Sequence, residues 1–130
     1  MNFFSRVPKH LFSTLTLPVR EWDQAKQCLA ESLELSRHEQ SYVVLGKVHL
    51  MTSDVQGAVE VYREAVKAFP ESPSLNTTLG LLYIQTGNHQ AAFECLGTAL
   101  AFEPQNSRAI LAAGSMMQTH QATTHFIFID

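Results

Sequence analysis

Residues 45–70 read LGKVHLMTSDVQGAVEVYREAVKAFP, and residues 79–104 read LGLLYIQTGNHQAAFECLGTALAFEP. The two stretches align without a gap at a separation of 34 residues: Leu45 and Gly46 return as Leu79 and Gly80, Ala58 as Ala92, Ala65 as Ala99 and Pro70 as Pro104. The glycine returns once more as Gly114, behind Ala113. Each period has room for two helices with a small residue in each. Gly46 and Gly80 permit close approach of a facing helix, and Ala58 and Ala92 fall where the two helices of one unit touch. A larger side chain at such a position costs about 1 to 3 kcal/mol through overpacking. Pro70 and Pro104 prevent continuation of the second helices and so fix where the next unit turns back.

A 34-residue period of this kind is that of a tetratricopeptide repeat. The expected fold is all-α, with helix-turn-helix units stacked as an α-α superhelix, because one helix pair cannot bury its apolar face alone. The expected organisation is an irregular leader over 1–20, an array over 21–120 and a divergent tail over 121–130. Within the array lie an orphan second helix (21–36), full repeats at about 39–72 and 73–106, and an orphan first helix (107–120). In the first of these, EWDQAKQCLAESLELS places Trp22, Ala25, Leu29 and Leu33 on one face. With its partner helix missing, that face is expected to be exposed or covered by the leader, leaving an under-packed edge.

The first full repeat places Tyr42, Leu45, Gly46 and His49 on one helix and Ala58, Tyr62 and Ala65 on the other. Thr52-Ser53-Asp54 supplies the turn and an N-cap between them. His49, at the place of Tyr83 in the next unit, is expected to pack between helices. The second repeat has Leu79, Gly80 and Tyr83, then Ala92, Leu96 and Ala99, with Gly87-Asn88 closing its first helix through a left-handed glycine. The third first helix, SRAILAAGSMMQTH, carries Ile110, Ala113, Gly114 and Met117 in register, and Met116-Met117 reads as ordinary packing. Then the pattern stops. Gln121 stands where Ser53 and Gly87 stood, and HFIFID reads as a short strand-prone segment that invites self-association. The expected repeat-packing residues are Leu45, Gly46, Ala58, Ala65, Pro70, Leu79, Gly80, Tyr83, Ala92, Ala99, Pro104 and Gly114.

The composition suits one small packed domain: 130 residues, 45% hydrophobic and 16% charged. A net charge of −3, with nine basic residues spread along the chain, gives no field for nucleic acid or anionic lipid. No apolar run approaches the ~20 residues of a membrane helix, so direct membrane insertion is not expected. The leader has Arg6, Lys9 and Arg20 and no acid before Glu21, a faint transit-peptide composition, but Pro8 and Pro18 spoil a continuous amphipathic helix. Cys28 and Cys95 sit in different units without paired spacing and read as reduced thiols of a cytoplasmic protein.

Chemistry is absent from the pattern. No nucleophile stands beside a base and an orienting group, and His10, His38, His49, His89, His120 and His125 show no metal-ligand spacing. No catalytic residue, metal, cofactor or small-molecule substrate is therefore expected, and Cys95 reads as a core filler. Asn76-Thr77-Thr78 matches a glycosylation acceptor but falls on a helix, so it reads as coincidence. What remains is a non-catalytic scaffold whose first helices line a groove for partner proteins. The positions offset from the packing residues are Val43, Lys47, Leu50 and Met51, then Thr77, Leu81, Ile84 and Gln85, then Arg108, Leu111, Ser115 and Gln118.

The segments WDQAKQCLAESLELSRHEQSYVVLGKVHL, SLNTTLGLLYIQTGNHQAAFECLGTAL and RAILAAGSMMQTH extend well beyond generic repeat positions. Over about residues 21–120 the chain resembles the tetratricopeptide subunits of the BBSome, the Bardet-Biedl syndrome family. The resemblance implies a subunit of a coat-like complex that moves membrane proteins into and out of cilia. It implies roles in protein transport, cilium assembly and centrosomal organisation, and residence at centriolar satellites, the centrosome, the ciliary base and the cilium. The implied partners are other BBSome subunits, pericentriolar material protein and dynactin. The leader and QATTHFIFID depart from the family, as an alternative transcript or an incomplete gene model would. Two alternatives stay open: a product unable to assemble, and a chaperone adaptor. The adaptor is disfavoured because Val43, Thr77, Thr78 and Ala112 stand where a carboxylate clamp needs polar groups, leaving Lys47 and Arg108 as isolated cations.

Overall fold

The computed structural model describes the backbone of residues 19–129 and the side chains of residues 21–119. The leader before Val19 and the terminal Asp130 lie outside the described residues. Every described element is an α-helix, and the described helices gather into two compact units that divide between Ala68 and Phe69.

The first unit holds α1 (Val19–Leu35), α2 (Glu39–Met51) and α3 (Val55–Ala68). Trp22, Ala25, Leu29 and Leu33, spaced three and four apart, are buried, and α1 packs against α2. Of the two outcomes expected for this face, exposure is not found; the leader, its other expected cover, lies outside the described residues. Between α2 and α3, Ala58 and Ala65 are fully buried and Tyr62 reaches α2, its ring over Gly46 and its hydroxyl donating to the Val43 carbonyl at 3.4 Å. The turn from α2 to α3 passes through Ser53 in the left-handed region (φ 60°). Asp54 then caps α3, its Oδ1 accepting the Gly57 N–H at 3.0 Å.

The second unit holds α4 (Pro73–Gln85), α5 (His89–Phe102) and α6 (Ser107–Ile129). Its turns repeat the chemistry of the first unit at the same 34-residue offset. Gly87 takes the left-handed position of Ser53 at φ 83°, and Asn88 takes the capping position of Asp54, accepting the Ala91 N–H at 3.3 Å. Ser72 caps α4 through the Leu75 N–H, and Asn106, 34 residues on, caps α6 through the Ala109 N–H at 3.1 Å. Ala92, Leu96 and Ala99 of α5 form one core cluster with Ala109, Ala112 and Met116 of α6.

The last helix departs from the sequence expectation. Rather than ending near His120 before a strand-prone segment, α6 runs to Ile129. The preceding turns explain the difference. Each needs a residue that accepts positive φ, at 53 and 87, followed by a side-chain cap, at 54 and 88. Gln121 and Ala122 offer neither. Extending a formed helix needs only one more hydrogen bond per residue fixed, so in the absence of a stop it continues even through β-branched residues.

Candidate functional site

Of the candidate partner-facing residues in the first unit, Lys47 is exposed while Val43, Leu50 and Met51 are half-buried on α2. His49, expected to be a packing residue, is instead a half-buried polar latch. Its Nδ1–H donates to Oδ2 of Asp54 at 2.8 Å, while the other carboxylate oxygen holds the α3 cap. The Gly57 N–H first, and then His49, hold the Asp54 carboxyl below its ordinary range. Gly57 is tied to this latch, because a Cβ there would collide with both Asp54 and His49. The same unit contains an open cleft of ≈ 420 Å³ with Leu33, Tyr42 and Leu45 at its floor and Glu34, Glu60, Glu64 and Arg37 at its rim. Glu64 is engaged by Lys67 at 2.7 Å, which lowers its carboxyl pKa. Sequence reasoning missed this cleft because it arises where α1, α2 and α3 meet.

In the second unit Thr77 is not available to a partner, contrary to expectation. It is 1% exposed; its hydroxyl donates to the Pro73 carbonyl at 2.7 Å and accepts from Asn106 Nδ2 at 3.1 Å. Thr77 thus ties α4 to the cap of α6. Leu81 and Ile84 are half-buried against the α5 and α6 core, as is Tyr83. Gln85, Arg108, Leu111, Ser115 and Gln118 are exposed. Thr77 and Ala112 are both buried, and the Thr78 hydroxyl donates to the Ser74 carbonyl, so these side chains do not offer a carboxylate clamp. Asn76 is 2% exposed and donates to the carbonyls of Pro70 and Ser72, which removes it from a glycosylating enzyme's reach.

The three register glycines differ in what faces them. A Cβ on Gly46 would strike the ring of Tyr62, and one on Gly80 would lie 2.8 Å from Cγ of Leu96. In both cases the obstacle is the second helix of the same repeat. Around Gly114 there is open space, and the residue is exposed, so its expected packing role is not met. The buried stripe of α6 is also one position off the expected one: Ala109, Ala112 and Met116 are buried, whereas Ile110 and Met117 are 48% and 58% exposed. The expected stripe is the face a second helix covers in the earlier repeats, and α6 passes straight through the place where that helix would begin.

Burial raises the Cys95 thiol above its ordinary pKa, with the charge of Glu94 adding to it, so at neutral pH it stays a protonated, weakly nucleophilic packing group. Among the described residues no three His, Cys, Asp or Glu side chains converge on a metal-sized site. No described helix is long and apolar enough to cross a membrane.

The tetratricopeptide-repeat family matches residues 49–119. The chain belongs to the tetratricopeptide-repeat family. Among curated proteins this tetratricopeptide chain is similar to the BBSome complex member BBS4 of Bos taurus, 47% identical over 111 residues, 85% of this chain and 21% of the relative. It is likewise similar to BBS4 of Mus musculus, 50% identical over 102 residues (78% and 20%), and to bbs-4 of Caenorhabditis elegans, 41% over 76 residues (58% and 16%). The resemblance to the BBSome subunits is thereby shown, for a chain spanning about a fifth of the length of the vertebrate relatives. Among solved structures, a crystal structure of MamA aligns with a TM-score of 0.63 at 23% identity, over 81% of this chain and 64% of that one. A crystal structure of PcrH in complex with the chaperone binding region of PopB aligns with a TM-score of 0.59 at 14% identity, over 84% and 97%. At these identities the two structures speak to the fold alone.

Proposed function

We propose that this tetratricopeptide chain is a non-catalytic protein–protein interaction scaffold that takes part in a BBSome-type assembly. The observation that carries the proposal is the 47% identity to a BBSome member across 85% of the chain, well beyond the few positions the repeat itself demands. A binding role is supported by the stacked repeats, in which α2, α4 and α6 keep side chains free of the core. Lys47 in the first unit, and Gln85, Arg108, Leu111, Ser115 and Gln118 in the second, are the exposed positions through which partners are met. Leu50, Met51, Leu81 and Ile84 contribute partial apolar surface beside them.

On this proposal the partners are other BBSome subunits, with pericentriolar material protein and dynactin beyond the complex. The setting is ciliary membrane-protein trafficking, cilium assembly and centriolar-satellite organisation, at the centrosome, ciliary base and cilium. The test is a tagged pull-down of the chain from ciliated-cell extract, blotted for BBSome subunits, beside Gly80→Trp, which cannot coexist with Leu96 in its present place. Recovery of subunits by the native chain and not by the variant is the expected result. Recovery of chaperones alone, or of nothing, would contradict the proposal.

A further inference from the structure

The open face of α6 is informative because the same face is covered twice elsewhere in the chain. Gly46 is met by Tyr62, which lies between Ala58 and Ala65 on α3; Gly80 is met by Leu96, which lies between Ala92 and Ala99 on α5. In each case a large side chain enters over the glycine, and the alanines four residues before and three after it let the helix axes approach. Gly114 occupies the same register, and nothing stands within 4 Å of where its Cβ would be. Ile110 and Met117, about one helical turn to either side, are exposed apolar side chains. The neighbouring side of α6 is already seated, since Ala109, Ala112 and Met116 belong to the core shared with α5. No charged residue occurs between Ala109 and Gln118, so a charge presented to this face would be desolvated without a counter-ion.

We propose that the Ile110, Gly114 and Met117 face of α6 seats one uncharged-faced amphipathic helix of a partner protein, in the place that α5 takes against α4. The seat continues the helix-pair interface already formed in the first two repeats, and that interface defines its occupant. The partner helix carries leucine or tyrosine over Gly114, with alanine four residues before it and three after. Binding of this kind is the helix-in-groove mode, read by residues on one helical face. The inference rests on the scaffold role proposed above and adds the chemistry of one partner element.

The test uses the full chain and a fluorescent peptide, DVQGAVEVYREAVKA, identical to residues 54–68, the helix that fills the equivalent seat over Gly46. Anisotropy is measured with the native chain, with Gly114→Leu, which fills the seat, and with Gly97→Leu. Gly97 is a second exposed helical glycine with nothing near its Cβ, and so a matched control. The expected result is saturable binding to the native and Gly97→Leu chains, with a loss of about tenfold or more for Gly114→Leu (about 1.4 kcal/mol). A peptide carrying Asp in place of its tyrosine should lose binding similarly. Absence of saturable binding, or equal binding by Gly114→Leu, overturns the proposal; the latter places the peptide elsewhere. A concentration-dependent dimer of the native chain that Gly114→Leu abolishes also overturns it, by making a second copy the occupant. If BBSome subunits are still recovered by Gly114→Leu while the peptide does not bind the native chain, the docking seat fails and the scaffold role stands.

Discussion

Gly80 and Gly114 stand 34 residues apart at one register of one repeat, yet the first lies 2.8 Å, measured from where its Cβ would sit, from a leucine side chain and the second faces open space. Their helices end differently. After α4 comes Gly87 at φ 83° and the Asn88 cap, so the chain turns back and covers the glycine. After the corresponding point in α6 come Gln121 and Ala122, and the helix continues. Packing residues thus define a surface, while two turn residues decide whether the chain's next segment fills it.

Substitutions ranked by expected effect probe this difference. Leu96→Ala removes the side chain that fills the Gly80 seat from the centre of the second unit's core, and should cost about 2 to 5 kcal/mol in chemical denaturation. Gly80→Leu attacks the same contact from the other side and should cost about 1 to 3 kcal/mol. A loss near zero in either variant would mean that α4 and α5 are not closely apposed.

Asp54→Ala removes the α3 cap and the His49 latch together and should cost about 1 kcal/mol. Folding holds the Asp54 carboxyl below its ordinary value of 3.8, so its contribution is complete above that value and is lost as pH falls through the lower folded-state value. The melting-temperature gap between the native chain and Asp54→Asn should therefore be present at neutral pH and shrink in acid. A gap independent of pH would place the role of Asp54 elsewhere.

Smaller still is the effect of Gln121→Gly with Ala122→Asn, which restores the turn chemistry of Gly87-Asn88. Amide and Cα chemical shifts should show α6 interrupted at that point while Ala109, Ala112 and Met116 remain in the core. An uninterrupted helix would show that something other than the missing stop holds α6 straight.

The helices of both full repeats are legible because period, small residues and turn residues agree at every level of the sequence. Even the caps obey the period, Asp54 with Asn88 and Ser72 with Asn106, although the packing residues alone suffice to see the fold. Legibility falls where a residue's role depends on a partner the pattern does not specify. His49 aligns with a tyrosine but finds a carboxylate five residues on. Thr77 aligns with a half-buried valine, yet its hydroxyl is captured by an asparagine 29 residues away. In α6 the register points to Ile110, Gly114 and Met117, but burial goes to Ala109, Ala112 and Met116, the side that meets α5 and α4.

The most direct test is the equilibrium unfolding of Gly114→Leu beside Gly80→Leu. Replacing an exposed helical glycine that has open space around it should leave stability unchanged or raise it by up to about 1 kcal/mol, while Gly80→Leu falls. Equal destabilisation by both would contradict the account, since it would mean that the Gly114 face is covered in the folded chain.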